Sequence, residues 1–393
     1  MFLRPHSRLR PITVLALALV ACSTTEEGPA PLSADEVAPV ADTYVEIVAA
    51  TYADCRSSAE TLRDAVDAFV AAPSEDGLAA ARQAWLDARE FYGQSEAFRF
   101  YDGPIDDPVD GPEGLLNAWP MDEAYVDYVE GMPDAGIIND PATYPTIDAD
   151  LIISLNEAGG ETNIASGYHV IEFLLWGQDL SADGPGDRPH TDYVTDGSGT
   201  AMNQDRRGAY LQVATHLLVE HFEGLEAEWA GGYESEFAAA EPQEILRRML
   251  LSLGSLSGAE LAGERMEVAL ETRDQEDEHS CFSDNTHRDI VTDILGMQNV
   301  YLGRYSSSHA GGSSVSGASI YDLVAAREQV LADRLRDELA ASLAAAEAIP
   351  APFDRAIIDQ PETVQATIDA LRTQADTIVE VAALFDINLA LES

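Results

Sequence analysis

The sequence predicts an all-α protein, built as two four-helix-bundle-like domains, with a duplicated bundle as one origin for the pair. Three observations lead there. Apolar residues recur near a 3.6-residue period over most of the chain, runs of alternating β-branched residues are scarce, and several periodic stretches open on helix-capping residues. A chain of 393 residues with 46% hydrophobic content is long enough for two cores.

Each helix has its own justification. Val37, Val40, Tyr44, Ile47, Thr51, Cys55, Leu62, Val66 and Phe69 share one helical face, and Pro73 ends the run. Ser74 caps a second helix with Glu75 and Asp76 in its first turn. Its inner stripe is Leu78, Ala81, Trp85, Ala88 and Tyr92. The same spacing then reaches Glu96 and Arg99, and charged groups on a core-facing stripe need partners. Residues 101–160 are irregular, with a short helical piece around 121–129; a loop region this long is functional or flexible. Residues 162–177 form a short helix that is apolar nearly all round, 181–200 a second loop, and 203–229 an amphipathic helix. Pro242 starts a helix. Ser257-Gly-Ala-Glu260 reads as a capping box that opens the next one. A polar stretch over 274–288 precedes a helix to Tyr301. Residues 306–319 read as a Gly/Ser linker or mobile loop, and 320–348 and 361–391 as two long final helices. Residues 88–98 and 272–282 echo each other weakly, which fits either duplication or chance.

The charge narrows the function. Seventy Asp and Glu stand against 22 Lys and Arg, a formal net charge of −48. Affinity for phosphate backbones comes from Lys and Arg, so nonspecific nucleic-acid binding is excluded. An acidic surface suits a salt-adapted or extracellular protein and concentrates cations.

The N-terminus reads as an export signal. Arg4, Arg8 and Arg10 precede a short apolar run over 12–20, too short to span a bilayer. It ends Leu19-Val20-Ala21-Cys22, a bacterial lipobox that predicts cleavage after residue 21 and a lipid on Cys22. Residues 22–34 then act as a tether, 35–232 as an N-terminal helical domain, and 233–393 as a C-terminal bundle. Without residues 1–21 the chain keeps 70 acids against 19 bases. The expected location is the bacterial cell envelope, at the outer membrane or its periplasmic face. Cys55 and Cys281 remain, compatible with one disulfide or with two separate buried thiols.

Several motif-like strings fail on spacing. Residues 106–117 resemble an EF-hand loop, but Pro108 and Asn117 occupy ligand positions. His216 and His221 lie five apart on a helix and diverge by about 140°. The surviving constellation is His169 and Glu172, three apart on one helical face in an apolar run. Such a pair can chelate one cation, for which Fe, Zn or Mn suit imidazole and carboxylate better than Ca or Mg. The same spacing equally fits a structural His–Glu hydrogen bond in the core.

Gly167-x-His169-x-x-Glu172, followed by Phe-Leu-Leu-Trp-Gly-Gln-Asp, resembles the signature of the imelysin-like family, and within it the members of the iron-regulated protein A type. The stretches 88–100, 111–123, 256–266 and 275–287 extend the resemblance over nearly the whole mature chain. It implies an all-α fold with the motif near a domain junction, and exported proteins tied to iron acquisition. Related iron-uptake components carry a Glu four residues after a Tyr, matched here by Tyr92 and Glu96.

These readings converge on a cation site of His169, Glu172 and Glu96. Asp277, Glu278, His279 and His287 are candidates to complete it, and Arg99, Tyr168 and Gly167 stand beside it. The cofactor is then a transition-metal cation, iron foremost and zinc next. The expected partners are the metal or its chelate and an iron-uptake membrane protein. The function is envelope-anchored metal capture. The alternatives are a metallopeptidase, with Glu172 or Glu96 as general base, and a non-catalytic docking module of an iron-uptake system.

Overall fold

The structure, a computed structural model, describes residues 32–391 apart from 182 and 310. The signal segment and the lipidation site Cys22 lie outside the described residues. From Leu32 onward the chain forms one compact unit.

Helix α1 (Ala34–Ala71) opens where the Glu36 carboxylate accepts from the Ser33 backbone N–H at 3.0 Å. Helix α2 (Glu75–Ser95) begins at Ser74, whose hydroxyl accepts from Gly77 N–H at 3.1 Å. The two pack along their length, burying Trp85, Tyr92 and the α1 stripe. Residues 99–166 contain only short helices: α3 (Glu113–Leu116), α4 (Glu123–Val126), α5 (Gly136–Asn139) and α6 (Ala149–Leu155). Buried ion pairs hold part of this region in place. Asp127 lies 2.7 Å from Arg188 and 2.6 Å from Arg207, the latter on α8 (Gln204–Glu228). Between them lies α7 (Tyr168–Trp176), all nine residues buried and packed against α2 and α8. Helix α8 continues through a wide turn over Trp229–Tyr233 into α9 (Glu234–Ala238). The expected domain boundary at 232/233 falls on a kink in that turn, where Gly232 has φ 148°.

In the second half, α10 (Pro242–Ser255) does start at Pro242. It then runs without a break through a π-helical stretch, Leu256–Glu267, into α11 (Val268–Thr272). The expected capping box at 257–260 is corrected here. A cap needs free N–H groups at a helix start, and this helix is already under way. The buried Ser257 hydroxyl instead donates to Leu371 O at 2.7 Å. That carbonyl belongs to α16 (Pro361–Leu384), which packs on the π-helical stretch.

Helix α12 (Thr286–Leu302) lies against α2 and so ties the two halves together. The expected linker after it contains a short antiparallel hairpin, β1 (Arg304–Ser306) with β2 (Ser314–Ser316). It is fixed to α1 through Tyr305, whose hydroxyl donates to Asp54 at 2.7 Å. The single helix expected over 320–348 is two, α13 (Ile320–Ala325) and α14 (Gln329–Glu347). Helix α15 (Phe353–Asp359) precedes α16, which ends at Leu384, short of the expected 391. Cys55 and Cys281 are both buried and both free, so the disulfide is not formed. No described helix is long and apolar enough to cross a membrane.

Candidate functional site

Helix α7 carries His169 and Glu172 into the interior, where neither side chain is exposed. Glycines frame it at both ends. Gly167 has φ 92°, and a Cβ there would come within 2.6 Å of Leu116 O; Gly177 has φ 74°.

His169 Nδ1 lies 3.0 Å from Glu172 Oε2. The other carboxyl oxygen of Glu172 accepts from the backbone N–H of Ser283 (2.9 Å) and from its hydroxyl (2.6 Å). Glu172 is therefore engaged on both oxygens, and it holds the imidazole rather than sharing a cation with it. Burial pushes the Glu172 carboxyl up to about 8, against the opposing pull of the Ser283 bonds. Burial also pushes His169 well below its usual 6.5, with Arg89 and Arg265 adding to the effect. His169 is thus neutral, and its Nε2 is buried without a hydrogen-bond partner.

His279 comes from the segment between α11 and α12. Its ring meets the His169 ring edge-on, centroids 4.6 Å apart at 78°. Burial holds it well below 6.5, as do the charges of Arg265 and its neighbours. Asn117 Nδ2 is 3.3 Å from its Nε2, and Trp119 packs on both histidines.

Glu96 is buried, as its stripe position requires, but it belongs to a different cluster. Its Oε2 is bonded by Arg99 at 2.7 Å and Arg265 at 2.5 Å. Burial raises its pKa, yet the two guanidinium groups win and hold it at about 2. Arg99 also lies 3.2 Å from Glu113, and Arg265 reaches Glu260 (2.8 Å) and Asp293 (3.1 Å). Glu96, expected beside His169 and Glu172 in a three-ligand set, is thus held by Arg99 and Arg265 instead of meeting that pair. Among the described residues, the one trio of His, Cys or acidic side chains with ligand atoms all within 4.8 Å is Glu278, Asp284 and Asp354.

Above His279 opens a cleft of about 470 Å³. Arg99 and Arg265 line it together with Asn117, Trp119, Asp277 and five glutamates, among them Glu113 and Glu260. Of the other candidates, Tyr168 packs at a tilt against Tyr92, ring centroids 5.0 Å apart, under the Arg89 guanidinium. His287 bonds the Asp284 carbonyl at 3.1 Å and takes no part in the histidine pair. Glu278 is buried beside Asp284 and Asp354.

Residue spacing alone missed Arg265, Asn117, Trp119 and Ser283. All four fall inside the stretches that carry the family resemblance, and these stretches, distant in sequence, meet at this cleft.

Fold and site together define a class: an all-helical protein with a buried histidine pair under an acidic, arginine-floored cleft. The imelysin family model matches residues 48–378, and the chain belongs to the imelysin family. Iron-regulated protein A of Synechococcus elongatus is 25% identical over 366 residues, covering 85% of this chain and 84% of that one. The fold resembles the crystal structure of an iron-regulated protein A precursor, so assigned, from Parabacteroides distasonis. The TM-score is 0.69 and the identity 19%, over 91% of this chain and 96% of that one. An imelysin-like protein from Psychrobacter arcticum is similar at TM-score 0.65 and 16% identity, over 93% and 99%.

Proposed function

We propose that this imelysin-family protein captures a transition-metal cation, iron foremost, free or chelated, at the cleft over the histidine pair, and carries out no bond chemistry. In this reading it works at the cell envelope, held there by a lipid on Cys22. The observation that carries the proposal is the state of His169. A metal-binding histidine characteristically gives one ring nitrogen to a carboxylate and keeps the other for the metal. His169 has Glu172 on Nδ1 and a buried, partnerless Nε2, whose lone pair becomes free for a cation when Glu172 gives up its proton and accepts from Nδ1–H. Both histidines are held neutral, the form that binds metal. The name of the Synechococcus relative, iron-regulated protein A, points toward iron. Glu172 then acts by positioning the ring, and Glu96 by fixing Arg99 and Arg265 in the cleft floor. A peptidase centre would need three protein ligands and an open position. Among the described residues neither histidine belongs to a trio of ligand atoms mutually within 4.8 Å, so the arrangement does not meet that three-ligand requirement.

Metal analysis of protein purified without chelators tests this, followed by titration with Fe²⁺ and Zn²⁺. His169→Ala and His279→Ala should each weaken binding by about tenfold or more. Undiminished affinity in both variants removes the histidines from the function.

A further inference from the structure

A second cluster of buried acidic groups includes Glu278. Glu278 stands in the segment before α12, Asp284 six residues later, and Asp354 in the first turn of α15. One carboxylate oxygen from each lies within 4.8 Å of the others. That spacing suits oxygens placed around one cation at 2.3–2.6 Å, the calcium–oxygen distance.

The second observation is what these groups lack. Glu278 is 0% exposed, and neither of its oxygens has a partner of good hydrogen-bond geometry, with only the Thr286 side chain close by; Asp284 Oδ1 and Asp354 Oδ1 are buried and partnerless too. None of the three makes an ion pair with any described Arg or His. The contrast within the same molecule is plain. Glu96, equally buried, has two arginines, and Asp127 has two more. A buried carboxylate without a partner is costly, and three together repel one another. Asp179 adds a fourth acid nearby, its Oδ2 also buried and partnerless. It borders a cavity of about 380 Å³ together with Asp354.

We propose that Glu278, Asp284 and Asp354 form a binding site for a hard divalent cation, calcium by preference, separate from the histidine pair. The donors are all oxygen, with no imidazole or thiolate to select a softer metal. They come from a loop and a short helix rather than a rigid cage, which favours calcium's flexible coordination over magnesium's strict octahedron. Such an ion would clip the segment bearing His279 and Ser283 onto α15. It would thereby steady the groups that hold His169 and Glu172.

The test is calorimetric titration of chelator-stripped full-length protein with CaCl₂, in enough KCl to suppress loose binding to the acidic surface. One saturable site is expected, with a higher thermal unfolding midpoint in calcium than in EGTA. Asp354→Asn, at the edge of the cluster, and Glu278→Gln should each abolish that site, while His169→Ala keeps it. Should Glu278→Gln fail to fold, Asp354→Asn alone decides. Absence of saturable binding in the wild-type protein overturns the proposal, as does binding that survives Asp354→Asn. Loss in His169→Ala would assign the ion to the histidine pair and overturn it equally. Transition-metal binding that fails in the wild type while calcium binding persists would sink the capture function and leave this site standing.

Discussion

Glu172 shows how far an environment can move one carboxyl group. In water it would ionise near 4.5, whereas here it holds its proton to about 8. Between those values the folded state keeps a proton that the unfolded state has lost. Stability from this group therefore falls as pH rises, by about 1.4 kcal/mol per pH unit, and levels off above the folded value. The two histidines act in the opposite sense. They stay neutral when folded, so their contribution is lost as pH falls below the usual 6.5. Glu172→Gln mimics the protonated carboxyl, since its amide can still serve both His169 and Ser283. It should match the wild type below about pH 4.5 and then become the more stable of the two, the gap widening by about 1.4 kcal/mol per pH unit up to about pH 8. Denaturant melts across that range check this, and parallel curves for the two proteins would refute the assignment. Spacing placed His169 and Glu172 on one face. It could not tell a shared cation from a mutual hydrogen bond, because that depends on Ser283, more than a hundred residues away.

At the scale of elements, α7 is fixed by its ends. Its nine residues are buried on every side, so no amphipathic face orients it. Gly167 does part of that work by bringing the helix start against α3 at Leu116 O, with a backbone angle that L side chains avoid. Gly167→Ala should cost about 2–4 kcal/mol through strain and steric conflict together. Gly159→Ala is the control. It has a similar φ of 86° but its nearest neighbour is Asn163 Nδ2 at 3.6 Å, so about 1 kcal/mol is expected. Equal losses in equilibrium unfolding would show that the close approach to α3 is unimportant. The capping signature at 257–260 shows the opposite relation between sequence and element. Its residues fit a helix start, yet the preceding helix never stops, and Glu260 turns to Arg265 instead.

For the whole molecule, charge is the governing quantity. With a net charge of −48, repulsion across the surface opposes the compact state. Screening should relieve it. The unfolding midpoint is expected to rise by a few degrees as NaCl goes from about 10 mM to about 0.5 M, where the screening length shrinks to a few ångströms. A midpoint that falls with salt would mean that the ion pairs between arginines and acids dominate. The arginines are not spread evenly. Arg89, Arg188, Arg207 and Arg265 are buried and paired with Asp289, Asp127, Glu96 or Asp293. Much of the acidic surface is left with few counter-charges of its own.

The sequence by itself determined the helical class, the starts at Ser74 and Pro242, the buried positions of His169, Glu172 and Glu96, and the family. Each of these follows from local periodicity, local capping chemistry or a continuous motif, so a linear reading reaches them. Only the tertiary structure decided which charges meet. It paired Glu96 with Arg265 across 169 residues, set His279 against His169, kept the two cysteines apart, and gathered Glu278, Asp284 and Asp354. Burial makes a polar group demand a partner, and only the packing of distant helices determines which partner it finds.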